Sequence, residues 1–310
     1  MSEPKPTAFV THKDLDGAAC AVIAHRVWYS DGALEVFYED HHGIDDLVLD
    51  LIKKAEAGEY RQIVVADISP VHSSTLTECI GFQNRGGKIL ILDHHANSTF
   101  AQNEGFYELG NLGKGICGAR MMFDHYRDVL QNHGELYPLQ VLVQIAETRD
   151  LWRKTDAHWP ASLRLNKLFL FLGMERFVAR CLTDLAEEKE PSLLTMEEET
   201  LLEVLEEKDA KYIRKRVAAS EREEDDAGHI FRWVICSRLT SEIGNTIMEE
   251  HPDADYALMY MPEYSKVEMR SREGGFDVGK LAKTRGGGGH QPASGYPVKP
   301  LKPTFGVRED

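Results

Sequence analysis

The chain has 310 residues, 42% of them hydrophobic, and a formal net charge of −15 at pH 7. That length is enough for two cores, and no apolar run approaches the ~20 residues of a membrane span. The start, Met-Ser-Glu-Pro-Lys-Pro, lacks the charged and apolar regions of a signal peptide, and the five cysteines (20, 79, 117, 181, 236) form no Cys-x-x-Cys pair, so a reduced cytoplasmic protein with no disulfide frame is expected.

The first expected strand, near 7–12, carries Ala8-Phe9-Val10 and runs into Thr11-His12-Lys13-Asp14-Leu15-Asp16-Gly17. Residues two apart point the same way in an extended segment, so His12, Asp14 and Asp16 can face one small volume. Gly17 permits a tight exit into a helix near 17–29. A lone Asp-x-Asp before a helix is explained by capping, but that account does not cover the strand ends that follow. Ile63-Val64-Val65-Ala66 ends at Asp67, and Ile89-Leu90-Ile91-Leu92 ends at Asp93-His94-His95. Carboxylate and imidazole converging from three strand ends suit a hard divalent metal. No cysteine flanks these positions, which argues against a purely structural zinc site.

Strands near 7–12, 34–40, 62–68 and 88–93 alternate with helices near 17–29, 44–57, 72–85 and 117–130, and a further helix from about 138 carries Asp150. This alternation predicts an α/β fold with a mostly parallel sheet, whose carboxyl edge is where ligands bind. Residues 151–182 read as helical. The Glu-rich stretch that follows has helical leucine spacing (Leu201, Leu202, Leu205) and reads as a solvated connector ending at Asp225-Asp226-Ala227-Gly228. A smaller α/β domain begins at Ile230-Phe231-Arg232-Trp233-Val234-Ile235. The expected divisions are a metal-binding domain over 1–184, an acidic helical connector over 185–228 and a substrate-binding domain over 229–310.

The charge is uneven along the chain. Between 266 and 303 there are eight Lys or Arg against three acids, and such a basic stretch beside an acidic metal centre suits a phosphodiester substrate. Arg270 and Arg272 alternate on an expected strand and share one face. Gly286, Gly287, Gly288 and Gly289 let backbone N–H groups approach a phosphate, His290 adds a donor, and a helix starting just beyond is expected to contribute its positive end.

In chain order, His12-x-Asp14-x-Asp16-Gly17, the lone Asp67, Asp93-His94-His95, Asp150 in Ala146-Glu147-Thr148-Arg149-Asp150-Leu151-Trp152, and Gly287-Gly288-Gly289-His290-Gln291-Pro292-Ala293-Ser294-Gly295 resemble the motifs of the DHH phosphoesterase superfamily with its associated C-terminal domain. That superfamily includes RecJ-type exonucleases, nanoRNases, exopolyphosphatases and manganese pyrophosphatases. Asp40-His41-His42 spells the same tripeptide, but only the copy at 93–95 follows the lone Asp, so 40–42 reads as a strand end flanking the cleft.

The resemblance implies a metal-dependent hydrolase with its site in a cleft between the two domains. It implies two Mn²⁺, with Mg²⁺ or another divalent ion as a substitute: His12, Asp14 and Asp67 would hold one, and Asp16, Asp67, His94 and Asp150 the other. Asp67 would bridge, His95 would donate to the phosphoryl oxygens, and Asp93 would orient a ligand histidine. Arg270, Arg272, Arg285, Gly287, Gly288, Gly289 and His290 would hold the substrate. Manganese pyrophosphatases have a different C-terminal domain and three residues between His and the first Asp, where this chain has one. RecJ-type enzymes usually carry further domains, and no membrane segment precedes the site. The stand-alone oligoribonucleases remain, implying hydrolysis of short single-stranded RNA or DNA oligonucleotides to 5′-mononucleotides. The alternative is a phosphatase or phosphodiesterase on polyphosphate, a linear dinucleotide or a nucleoside bisphosphate. A binding module without activity is disfavoured because every ligand position is filled. Sugar preference, strand polarity, length cutoff and oligomeric state are left open by the sequence.

Overall fold

Strand β1 (Thr7–His12) is apolar on both faces because helices cover both. A computed structural model describes residues 5–28, 34–95, 107–109, 115–132 and 136–299. The chain folds as two compact units, Met1–Leu202 and Glu203–Asp310.

In the first unit β1 leads to α1 (Leu15–Val27), β2 (Leu34–Glu39), α2 (Ile44–Glu56), β3 (Gln62–Ala66), α3 (Ser73–Asn84), β4 (Ile89–Asp93) and β5 (Tyr107–Leu109). Helices α4 (Gly118–His125), α5 (Arg127–Asn132), α6 (Leu136–Asp150), α7 (Trp159–Leu172) and α8 (Met174–Ala186) follow. The five strands pair in the order β2-β1-β3-β4-β5, every pair parallel. Alternation sends Ala8, Val10, Ile63, Val65 and Ile91 to the core under α2 and α3, and Phe9, Val64, Ala66 and Leu92 to the core under α1, α4 and α6. The latter core seats α1 closely because its first turns are small residues, Gly17 to Ala21, all buried. The helix expected over 117–130 is two helices, broken at Tyr126.

Helix α9 (Met196–Ala218) spans the division between the units. The connector expected to stay helical to about 227 ends there: β6 (Glu221–Glu224) is a strand, paired antiparallel with β7 (Ile230–Ile235). Its acidic side chains are all exposed, as suits an edge strand, and backbone pairing overrides the weak strand preference of glutamate. Asp225 to His229 form the turn between them, with Gly228 at φ 85°.

The second unit continues through α10 (Thr240–Glu250), β8 (Tyr256–Met261), β9 (Lys266–Ser271), α11 (Val278–Thr284), β10 (Gly288–Gly289) and β11 (Ala293–Pro297). Its sheet runs β10-β11-β9-β8-β7-β6, antiparallel except for β7 and β8, which α10 connects. Ile243, Ile247 and Met259 fill one face, and Tyr256, Met269, Val278 and Tyr296 the other. Among the described residues no helix is long and apolar enough to cross a membrane.

Candidate metal centre

Strands β1, β3 and β4 are neighbours, with Thr11 opposite Ala66 and Ala66 opposite Leu92. Their carboxyl ends are therefore level, and His12, Asp67 and Asp93 to His95 emerge together. Asp14 and Asp16 enter from the start of α1, and Asp150 from the last turn of α6. Among the described residues three groups of donor atoms result, each with its members within 4.8 Å of one another: His12, Asp14 and Asp67; Asp16, His94 and Asp150; Asp67, His94 and His95. His94 Nε2 lies 3.1 Å from Asp67 Oδ1 and 3.5 Å from Asp150 Oδ2.

Each side chain is held by identifiable contacts. Asp14 caps α1, accepting the Gly17 N–H at 2.9 Å, and its other oxygen meets His12 Nδ1 at 2.8 Å. The capping account of this Asp is therefore correct, yet incomplete. A Cβ on Gly17 would sit 2.1 Å from the His12 carbonyl oxygen, so glycine is required for close approach within the first helical turn. Asp16, 2% exposed, accepts the Gly118 N–H at 2.7 Å and the Ala119 N–H at 3.2 Å, which places a carboxylate at the positive end of α4. Gly118 is again required, because a Cβ there would lie 2.4 Å from Asp67 Cβ. Sequence reasoning missed Gly118; the only signal was a Gly-Ala pair opening an apolar helix. Asp67 is buried and left-handed at φ 62°, a strained backbone of the kind that clusters at functional sites.

Asp93 accepts from Ser69 Oγ at 2.6 Å and from His95 Nδ1–H at 2.7 Å. Asp93 thus orients His95, a member of one of the donor groups and the histidine that the motif resemblance gives to the phosphoryl oxygens. His95 Nε2 is the nitrogen left for the site.

Burial pushes the Asp67 carboxyl well above the usual range, and the charges of Asp16 and Asp14 push it further. Asp150 is raised to about 7 by burial first and the same two neighbours next. Asp67 Oδ2 and Asp150 Oδ2 are buried without a hydrogen-bond partner. Crowded carboxylates with unpaired buried oxygens, flanked by imidazoles, fit a divalent cation: the ion supplies the partner and the opposing charge. Thiols are closer than the sequence suggested, since Cys20 and Cys117 both feel the charge of Asp16, but burial above all holds each protonated. The donors available are oxygen and nitrogen.

No family model matches the chain. It is 26% identical over 297 residues to oligoribonuclease NrnB of Bacillus subtilis strain 168, covering 93% of this chain and 72% of that protein. Among solved structures, an exonuclease RecJ bound to manganese superposes with a TM-score of 0.55 at 17% identity, over 95% of this chain and 86% of that one. A pGpG-specific phosphodiesterase from Vibrio cholerae gives 0.51 at 13% identity, over 94% and 93%. Both share the fold. Together with the order of the motifs, these likenesses support a DHH-superfamily phosphoesterase.

The other Asp-His-His copy, at 40–42, follows β2, beside β1 in the sheet. The His41 ring centroid lies 5.2 Å from that of His12 and 5.5 Å from that of His95. Asp40 Oδ1 lies 3.8 Å from His12 Nε2, and Lys13 bridges Glu39 and Asp40. The copy borders the centre, and neither Asp40 nor His41 belongs to a donor group among the described residues.

The second unit uses its expected substrate residues in several ways. Arg270 donates to Ser241 Oγ at 2.6 Å, and Arg272 to the carbonyls of Ala254, Met248 and His251 at 2.7, 2.5 and 3.0 Å. The face that the two arginines share is the one α10 covers, and Arg272 closes the end of that helix. Arg285 donates to the Tyr296 hydroxyl at 2.6 Å and lies 5.1 Å from its ring centroid. A Cβ at Gly287 would meet the Gly295 carbonyl at 2.1 Å and one at Gly289 the Ala293 carbonyl at 2.6 Å, whereas one at Gly288 would meet nothing within 4 Å. Packing accounts for the outer two glycines. The helix expected beyond His290 is absent: His290 and Ala293 exchange backbone hydrogen bonds around Gln291-Pro292, and β11 follows. A two-residue turn containing proline favours a hairpin here over a helical start. His290 itself is exposed.

Proposed function

We propose that this phosphoesterase is a manganese-dependent exonuclease that cuts short single-stranded RNA or DNA to 5′-mononucleotides, with the first unit catalytic and the second gripping the substrate. The observation that carries the reading is the pair of buried, unpaired carboxylate oxygens on Asp67 and Asp150 on either side of His94. The name of the B. subtilis relative, oligoribonuclease, and the manganese of the RecJ structure support the substrate and the metal.

His12, Asp14 and Asp67 would hold one ion, and Asp16, Asp67, His94 and Asp150 the second. When bound, two such ions acidify a water and offset charge on the phosphoryl oxygens. Asp67 and Asp150, whose carboxyls burial and neighbouring charge raise, would bind such ions as carboxylates, so ion binding would oppose their protonation. His95, locked through Nδ1 to Asp93, presents Nε2 to a phosphoryl oxygen and donates as negative charge builds there. The exposed His290 is the donor the glycine loop presents, and it would take the substrate's terminal phosphate or sugar.

The test is a product-resolved digest of end-labelled dimers, five-mers and longer strands, with polyphosphate alongside, using metal-stripped protein reloaded with Mn²⁺, Mg²⁺ or Zn²⁺. Short oligonucleotides should go to 5′-mononucleotides, with Mn²⁺ restoring the most activity. Cleavage in excess chelator would end the metal reading, and cleavage of polyphosphate with oligonucleotides intact would replace the substrate.

A further inference from the structure

Helix α6 carries Asp150 in its last turn and then closes in a Schellman motif. The Arg153 N–H donates to the Thr148 carbonyl at 3.0 Å, and the Trp152 N–H to the Arg149 carbonyl at 3.3 Å. This motif places one residue in the left-handed region, where glycine is the usual occupant because it has no Cβ. Here that residue is Trp152, at φ 54°. A bulky side chain in this conformation is strained. The residue is 54% exposed, so burial does little to offset the strain.

The indole face has another use. Arg149 Cζ lies 4.5 Å from its centroid, Lys154 Nζ lies 5.2 Å away, and Trp159 packs edge-on at 5.2 Å. Arg149 also lines a cavity of about 190 Å³ together with Asp14, Asp16, Asp150 and Asn166. Three of those are carboxylates of the candidate metal centre, and Arg149 is the cation among the lining residues. A guanidinium laid on an aromatic ring keeps its planar fork of donors in a fixed orientation, which suits it to phosphate oxygens.

We propose that Arg149, held on the Trp152 ring, is a phosphate-binding arm of the first unit, taking a phosphoryl oxygen of the substrate beside the metal centre. Trp152 is its positioning residue, and the cost of a left-handed tryptophan is tolerated because the ring aims the guanidinium. The inference rests on the phosphoester reading above, but it does not depend on which phosphoester is cut.

The experiment measures binding of inorganic phosphate to the Mn²⁺-loaded full chain by calorimetry, with bound manganese and melting temperature recorded for each variant. Arg149→Ala should weaken phosphate binding about tenfold or more, the range for losing a charged hydrogen bond, and Arg149→Lys should recover only part of it. Trp152→Gly should weaken it several-fold while the melting temperature holds or rises, because the left-handed strain is removed; Trp152→Phe, which keeps an aromatic face, should retain affinity. Manganese content should be unchanged throughout. Unaltered phosphate affinity in Arg149→Ala, no phosphate binding by the wild type, or a Trp152→Gly chain that melts lower with affinity intact would each overturn the proposal. Oligonucleotide hydrolysis is assayed in parallel: if the wild type cuts none while phosphate affinity still depends on Arg149, the substrate class falls and the arm stands.

Discussion

At the scale of single residues, the centre crowds carboxylates that repel one another. Asp67 combines a left-handed backbone, full burial and neighbouring carboxylates, and Asp150 shares the last two conditions in milder form. A carboxyl whose folded pKa is raised binds more protons folded than unfolded. Its contribution to stability is therefore complete below the ordinary carboxylate range and is lost as pH rises through the folded value. For Asp150 that window runs from the ordinary range to about 7. Asp150→Asn removes the ionisation, so in metal-free protein its melting temperature should gain on the wild type as pH rises through that window, while activity is lost. Paired thermal scans in chelator at several pH values check this, and a difference that is flat or narrows with pH would contradict it. Adding Mn²⁺ should raise the wild-type melting temperature by mass action and leave the variant behind.

At the scale of elements, the centre depends on a helix that supplies no side chain to it. The first turn of α4 donates two N–H groups to Asp16, and Gly118 brings that turn against Asp67. Gly118→Ala places a methyl group where Asp67 Cβ already lies, so the start of α4 must move and Asp16 loses its donors. The chain should remain folded but bind Mn²⁺ about tenfold or more weakly, the usual cost of losing a group that orients a metal ligand. A manganese titration monitored by electron paramagnetic resonance measures this. Equal affinity in the two proteins would mean that Asp16 is positioned by other contacts.

At the scale of the whole molecule, the basic balance of the C-terminal stretch translates only in part into cations available to a substrate. Lys266 is tied to Glu268, Arg285 to Tyr296, and Arg272 to three carbonyls at the end of α10. Arg272→Ala should therefore act on stability, at about 2 kcal/mol for charged hydrogen bonds to backbone, and lower the melting temperature by a few degrees. His290→Ala should leave melting unchanged and raise KM for oligonucleotides, while hydrolysis of bis-p-nitrophenyl phosphate, which lacks a nucleotide chain to grip, stays near the wild-type rate. The two variants measured on both substrates separate fold from recognition. A His290→Ala chain with normal oligonucleotide KM would remove the glycine loop from substrate binding.

By itself the sequence determined what local pattern can encode. Apolar runs ending in Asp or His located β1, β3 and β4 and put their polar ends on one edge, because a parallel sheet brings the carboxyl ends of its strands level. The order of the motifs chose His94 and His95 over the copy at 40–42. Tertiary structure decided what depends on distant partners. Asp16 is held by Gly118, 102 positions away. Asp93 serves His95, and Arg272 is drawn to the end of α10. Residues 221–224 become a strand because β7 offers an edge, and no helix follows His290 because Gly288 and Gly289 pair with β11. Periodicity and spacing report the residues a side chain follows in the chain; hydrogen-bond partners and steric neighbours come from whatever folding brings against it.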